Sequence, residues 1–339
     1  MIRQWGDVNI RGAARYIAKR IAEFAVSVVA LSFVIFSLLY IAPGDPARSL
    51  VGTRKATPEL LARIREQYHL DDPFLSQYGR WLEGAFHFDF GESIRSGASV
   101  SDTIAPHAVV TFELVLISLA ISAVVGVACG IAAAKGRGRL RDGAITVAAL
   151  VGTSAPSYAA GLVFLYVFAL KLGLFPIYGI GNGSAADELW HLALPAVTLA
   201  FGVGALLVQI TRSAMLKEAA SDYTVFMRAR AISPLRVTAA QMKNASPAIL
   251  TSAGLVLAGL FGSTVLVESV FSIPGLGNLL ASSVTFHDVP VVQAIALLLA
   301  VFICAASTAV DICVYLINPS WVQRHGVRWK GGRHERIHA

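Results

Sequence analysis

Long apolar runs alternating with polar segments set the pattern of this chain. A helix needs about 20 apolar residues to cross a bilayer, and six runs qualify. Residues 24–42 carry no charge, and 109–134 carry only Glu113. Residues 144–170 are uncharged but contain Pro156, and 192–210 are uncharged with Pro195 near their start. Residues 249–267 are uncharged, and 291–317 carry only Asp311. The pattern predicts an all-α integral membrane fold with six transmembrane helices. Pro156 predicts a bend in the third span, because proline removes a backbone donor, and Ser154 and Ser157 beside it offer hydroxyls to the freed carbonyls. Gly126, Gly130, Gly254, Gly259 and Gly262 predict close helix approach in the second and fifth spans.

The polar segments between the runs give the orientation. Basic residues crowd the N-terminal arm (Arg3, Arg11, Arg15, Lys19, Arg20) and the loop after the second span (Lys135, Arg137, Arg139, Arg141). They return in 212–245 and in the tail (Arg324, Arg328, Lys330, Arg333, Arg336). If six spans alternate, all four segments fall on one side, and Lys and Arg are retained in the cytosol. Both termini are therefore expected to be cytosolic. The opposite loops after spans three and five hold only Lys171. The first run is too long for a signal-peptide core and no small-residue cleavage site follows it, so it reads as an uncleaved signal anchor.

This orientation divides the chain into an N-terminal arm (1–23), a first transmembrane helix (24–42) and an extracytoplasmic insert (43–107). A five-helix core (108–318) follows, with a cytoplasmic loop at 211–247, and then a basic tail (319–339). The arm is expected to run into the first span as one helix. Inside the insert, Thr57, Pro58 and Glu59 form a helix-start signal, and that helix is expected to end near Tyr68, before Asp71, Asp72 and Pro73. A second helix is expected over 74–85, with Tyr78, Trp81 and Leu82 on one face. The insert is expected to cap the membrane core. In the last extracytoplasmic loop, Pro274, Gly275 and Gly277 demand a tight turn, after which 278–285 form a short helix dipping toward the membrane.

Composition agrees with this class. Of 339 residues, 55% are hydrophobic and 14% charged, a balance that points to an integral membrane protein. The net charge of +7 is spread over four segments and reflects topology, so nucleic-acid binding is a poor reading of it. No lysine follows a glycine, which excludes a P-loop and assigns any ATP-driven step to a separate chain. No nucleophilic triad or helical zinc spacing is present among the scattered histidines, so no catalytic, cofactor or metal residue is expected. Cys129, Cys304 and Cys313 lie in spans and read as free, buried, small apolar residues. His287 and Asp288 read as solvated surface.

Two acids are candidates for a pathway or packing role. Asp311 lies in the sixth span, where lipid exposure costs about 2.5–3.5 kcal/mol, and it is expected to face protein. Glu268 lies near the outer end of the fifth span, as Glu113 does in the second; interfacial placement explains both, and a substrate contact is a second reading of Glu268.

The order of these pieces resembles the dipeptide/oligopeptide/nickel branch of ABC importer permeases over nearly the whole chain. The matching residues are Ala42, Pro43, Gly44, Asp45 and Pro46 after span one, YHLDDP at 68–73 with Gln77, Tyr78 and Trp81, and DFGES at 89–93. Further matches are LALPAVTL at 192–199, VESVF at 267–271, IPGLGNLL at 273–280, Asp311, and the exit Asn318, Pro319 and Ser320. In the cytoplasmic loop they are Asp222, Tyr223, Arg228, Ala229, Arg230, Ser233, Arg236, Val237, Asn244 and Ala245. Arg230 stands where the family usually has Lys, and Ala231 where it usually has Gly.

The resemblance implies a type I importer permease working with a second related permease, two ABC ATPase subunits or domains, and an extracytoplasmic solute-binding protein, all in or at a lipid membrane. It implies an ATPase-docking helix around Asp222, Tyr223, Arg228, Ala229, Arg230, Ala231, Ile232, Ser233 and Arg236. It also implies a gate loop of Pro274, Gly275, Leu276, Gly277 and Asn278. Peptides are the expected cargo. A nickel or opine importer of the same architecture is the alternative, and a secondary transporter lacks the paired broken segments that inverted repeats leave.

Overall fold

The structure is a computed structural model that describes residues 10–41, 46–49, 51, 57–67, 69–181 and 183–317. Residues 1–9, the Ala42-to-Asp45 part of the motif after span one, Tyr68, and the exit and basic tail from Asn318 onward lie outside the described residues. Among the described residues the fold is helical, with one isolated antiparallel bridge between Glu92 and Ser99. Four helices are long and apolar enough to cross a membrane, and two bent pairs bring the total to six.

The arm and first span form one helix, α1 (Ile10–Ile41). The insert supplies α2 (Pro46–Ser49), α3 (Pro58–Gln67) and α4 (Phe74–Phe86). The second span is α5 (Val100–Lys135), opened by Ser99, whose side chain accepts from the Asp102 amide. The third span breaks into α6 (Leu140–Ser154) and α7 (Ser157–Phe164), with a π-helical continuation over Leu165–Lys171. The two arms meet at 111° across Ala155 and Pro156. Proline disfavours helix in the residue before it, and Ala155 is accordingly extended. The expected bend is thus a break.

The fourth span is also divided, into α8 (Ala185–Gly202) and α9 (Ala205–Ala219), bent by 46°. It outruns the apolar stretch and carries Arg212 into the 211–247 segment. The chain ends with α10 (Asp222–Ala229), α11 (Pro234–Val270), α12 (Leu276–Thr285) and α13 (Val289–Ile317). The main apolar core joins α5, α8, α9 and α11 through Leu114, Leu199, Leu207 and Leu260.

Small residues let these helices approach closely. A Cβ at Gly126 would meet Leu207 at 3.0 Å, and one at Gly130 would meet Thr211 at 2.5 Å. Gly254 and Gly259 face Val310 and Val203, whereas Gly262 has open space around it, so the reading of that glycine as a contact point is corrected.

The insert does not sit simply as a lid. Phe74, Tyr78 and Trp81 of α4 stack along Phe33, Phe36 and Tyr40 of α1. Gln77 locks this arrangement, accepting from the Tyr40 hydroxyl and donating to the Leu70 and Asp72 carbonyls. Leu82 is half-buried, as are Tyr78 and Trp81. The turn after α4 is fastened to the core by Asp288, which accepts from the Ser93 hydroxyl at 2.5 Å and the Ile94 amide at 3.1 Å. Asp288 is buried, which corrects its reading as solvated surface. The cysteines are free, but Cys129 and Cys304 are half-buried and Cys313 is exposed, so burial within this chain does not explain them.

Candidate functional site

One end of the helical core is built around α10. Glu218, at the end of α9, holds its start: the Glu218 carbonyl accepts from the Ser221 and Thr224 hydroxyls at 2.6 and 2.7 Å. The Tyr223 hydroxyl donates to the Glu218 carboxylate at 2.8 Å. Thr224 is fully buried and also faces Gln241 of α11 at 3.4 Å. These contacts fix one side of α10 and leave the other open. Asp222, Val225, Phe226, Arg228, Ala229 and Arg230 are exposed there, as are Ser233 and Arg236 beyond it, and Ile232 is half-buried. Val225 and Phe226 are 60% and 56% exposed. The Arg230 guanidinium lies 4.6 Å from the Phe226 ring centre.

The end of α10 explains the departure at Ala231. The Ile232 amide donates to the Met227 carbonyl and the Ala231 amide to the Arg228 carbonyl, the paired pattern of a Schellman cap. That cap needs a left-handed residue, and Ala231 has φ +52°. Glycine takes this conformation without a Cβ clash. Ser233 and Pro234 then open α11, with proline where its missing N–H costs nothing.

A bidentate ion pair braces the platform. Arg212 of α9 donates to both Asp142 oxygens, at 2.6 and 2.9 Å, and the Gly138 amide adds a third bond at 3.1 Å. The pair ties the basic loop after α5 to the helix leading into α10. Its sequence signal is a single acid following Arg137, Arg139 and Arg141, and the reading of the sequence passed over it.

On the opposite end, Glu268 lies near the C-terminal end of α11 and is fully buried, which corrects its interfacial reading. Its carboxylate accepts from the Thr111 hydroxyl of α5 at 2.6 Å and from the Asn278 amide at 3.0 Å. The Leu276 amide donates to Thr111 at 2.7 Å. Glu268 and Thr111 therefore cap α12 from two other helices, where a helix start favours an acid. This capping is why α12 begins at Leu276 rather than 278. Pro274 and Gly275 carry the chain over the carboxylate. A Cβ at Gly275 would strike it, and one at Gly277 would meet Val265 at 2.5 Å. Glu113, by contrast, is exposed.

Asp311 stands apart from both ends of this core. It pairs with Arg20 of α1 at 3.3 Å, and Arg20 also holds Glu23 at 2.8 Å. Tyr16 and Tyr315 stack beside them at 4.4 Å. The structure thus assembles two separate clusters and a clasp between the first and last spans. No group of metal-ligating side chains occurs among the described residues.

Residues 126–323 match the family described as "Binding-protein-dependent transport system inner membrane component", and 13–115 match its N-terminal region. The chain belongs to this family of transport permeases.

A peptide transport system permease protein of Brucella abortus (strain 2308) is 35% identical over 89% of this chain and 97% of its own length. The glutathione transport system permease protein GsiC of Escherichia coli (strain K12) is 33% identical over 90% of this chain and 98% of its own length. The fold is also that of a chain in the MetNI methionine ABC transporter in inward-facing conformations. That likeness has a TM-score of 0.53 at 16% identity and covers 63% of this chain and 95% of that one. The permease is therefore a multi-pass inner-membrane subunit of an ABC importer. It is not an enzyme; ATP hydrolysis in such systems belongs to separate ATPase subunits, and a binding protein serves the outer face.

Proposed function

We propose that this permease forms one half of a pathway for short peptides, delivered by a solute-binding protein and driven by ATPase chains docked on α10. The observation that carries this reading is the open face of α10, whose far side is fastened to α9 and α11. Exposed Val225 and Phe226, with Arg230 over the Phe226 ring and Arg228 and Arg236 also exposed, have the composition of an interface centre. A docked ATPase pushing on α10 acts on two long helices at once. A second related permease supplies the other wall, and both termini face the cytosol.

The loop at 211–247 serves as the docking segment, and Pro274, Gly275, Leu276, Gly277 and Asn278 serve as the outer gate. Glu268 is the post on which that gate is mounted. Alternating access follows if ATP and loaded binding protein each favour one of two arrangements of these helices. The names of the relatives, peptide and glutathione transport permeases, support a short peptide as cargo. No observation favours nickel or an opine over it.

Uptake into proteoliposomes containing the permease with its partners tests this. Radiolabelled di- and tripeptides should accumulate only with ATP and binding protein together. Accumulation without ATP, or of nickel in place of peptide, would overturn the assignment.

A further inference from the structure

The helix α4 has three faces rather than two. Phe74, Tyr78 and Trp81 turn to α1. Ser76, Arg80, Glu83 and His87 form a polar row. Leu75, Gly79, Leu82 and Phe86 form a third row, one helical stripe long. Leu75 is 71% exposed and Phe86 75% exposed, so both ends of this stripe are open among the described residues, and Leu82 between them is half-buried. Phe88, just beyond, is equally open and is held at φ +58°, a costly conformation for an aromatic residue. The Ser101 hydroxyl donates to its carbonyl and helps keep it there.

The contacts with α1 fix the depth of this stripe. The outer end of α1 is Ile41. Phe36, which touches Phe74, Tyr78 and Trp81, lies about 8 Å inward of that end at a helical rise of 1.5 Å per residue. Ser32, within 2.8 Å of the Tyr78 hydroxyl, lies about 14 Å inward. Helices lying flat in a membrane bury their apolar face about 5–10 Å into the boundary of headgroups and acyl chains.

We infer that α4 is an interfacial membrane helix whose partner is the outer leaflet itself. Leu75, Leu82, Phe86 and Phe88 lie among acyl chains and glycerol groups. Ser76, Arg80, Glu83 and His87 face headgroups and water. A protein approaching from the aqueous side meets the polar row and not the apolar one. Through the α1 rings and Gln77, the bilayer surface thereby helps hold the insert at a fixed height.

Nitroxide labels at 75, 76, 83 and 86, in the full importer in liposomes with Cys129, Cys304 and Cys313 replaced, read this directly. Labels at 75 and 86 should collide with oxygen and lose accessibility to a water-soluble nickel chelate, and labels at 76 and 83 should do the reverse. Equal chelate access at all four overturns the inference. If the cysteine-free chain does not assemble, a photoreactive residue at 75 or 86 in the native chain takes its place. Adducts to lipid support the inference, and adducts to protein or to nothing overturn it.

Discussion

The Thr111 hydroxyl donates to the Glu268 carboxylate at 2.6 Å, joining the second and fifth spans directly beneath the start of α12. The acid in the VESVF stretch is a cap for α12, and the glycines beside it make room for its oxygens. Replacing Glu268 with Leu leaves the Asn278 amide without this acceptor, at about 1–3 kcal/mol for a buried group. Glu268→Gln keeps an acceptor and should cost less. Thermal unfolding of the purified importer should rank Leu well below Gln. Equal melting of the two variants would show that the cap does not depend on this acceptor.

The Asp142–Arg212 pair predicts an asymmetry. Asp142 is nearly buried, while the Arg212 side chain is 29% exposed and can rehydrate. Arg212→Ala strands a carboxylate and should lower stability more than removal of the acid. Asp142→Ala loses its hydrogen bonds without stranding a charge and should cost less than Arg212→Ala. Unfolding of both single variants and the double variant checks the order, and the double should resemble Asp142→Ala.

Ala231 sits where a left-handed residue is required. Ala231→Gly should relieve roughly 1 kcal/mol locally. Hydrogen exchange at the Ile232 amide, bonded across the cap to Met227, should then slow about fivefold. Unchanged or faster exchange would contradict the cap reading.

The clasp between Arg20 and Asp311 should respond to charge and not to size. Arg20→Asp and Asp311→Arg should each lower the yield of assembled importer, and the charge-swapped double variant should restore it. Failure of the swap, together with normal yield of Asp311→Leu, would show that the pair does not hold the two spans together.

The spans were legible because each apolar run is long enough to leave no alternative. Phe74 was legible as a helix start because Pro73 precedes it, and α3 because Thr57 and Pro58 open it. The polar ties were not legible. Asp142 meets Arg212 70 residues away, and Asp288 meets Ser93 195 residues away. A local pattern holds no trace of such pairings, and an acid at a span end reads as interfacial until its partners are placed. Pro156 announced a bend, but its size depends on how Gly152 packs on the Phe201 carbonyl and Ala205 across the fourth span. The Ala231 cap was visible only as a departure from glycine, and its φ gives that departure a physical meaning.

In the proposed mechanism α10 is the coupling surface. Phe226→Asp places a charge at the centre of its open face without touching Glu218, Thr224 or Gln241, which hold the helix in place. The variant should insert and retain the second permease, yet lose ATPase chains on purification and lose ATP-driven peptide uptake. ATPase recovered at the normal ratio with normal uptake would contradict the account.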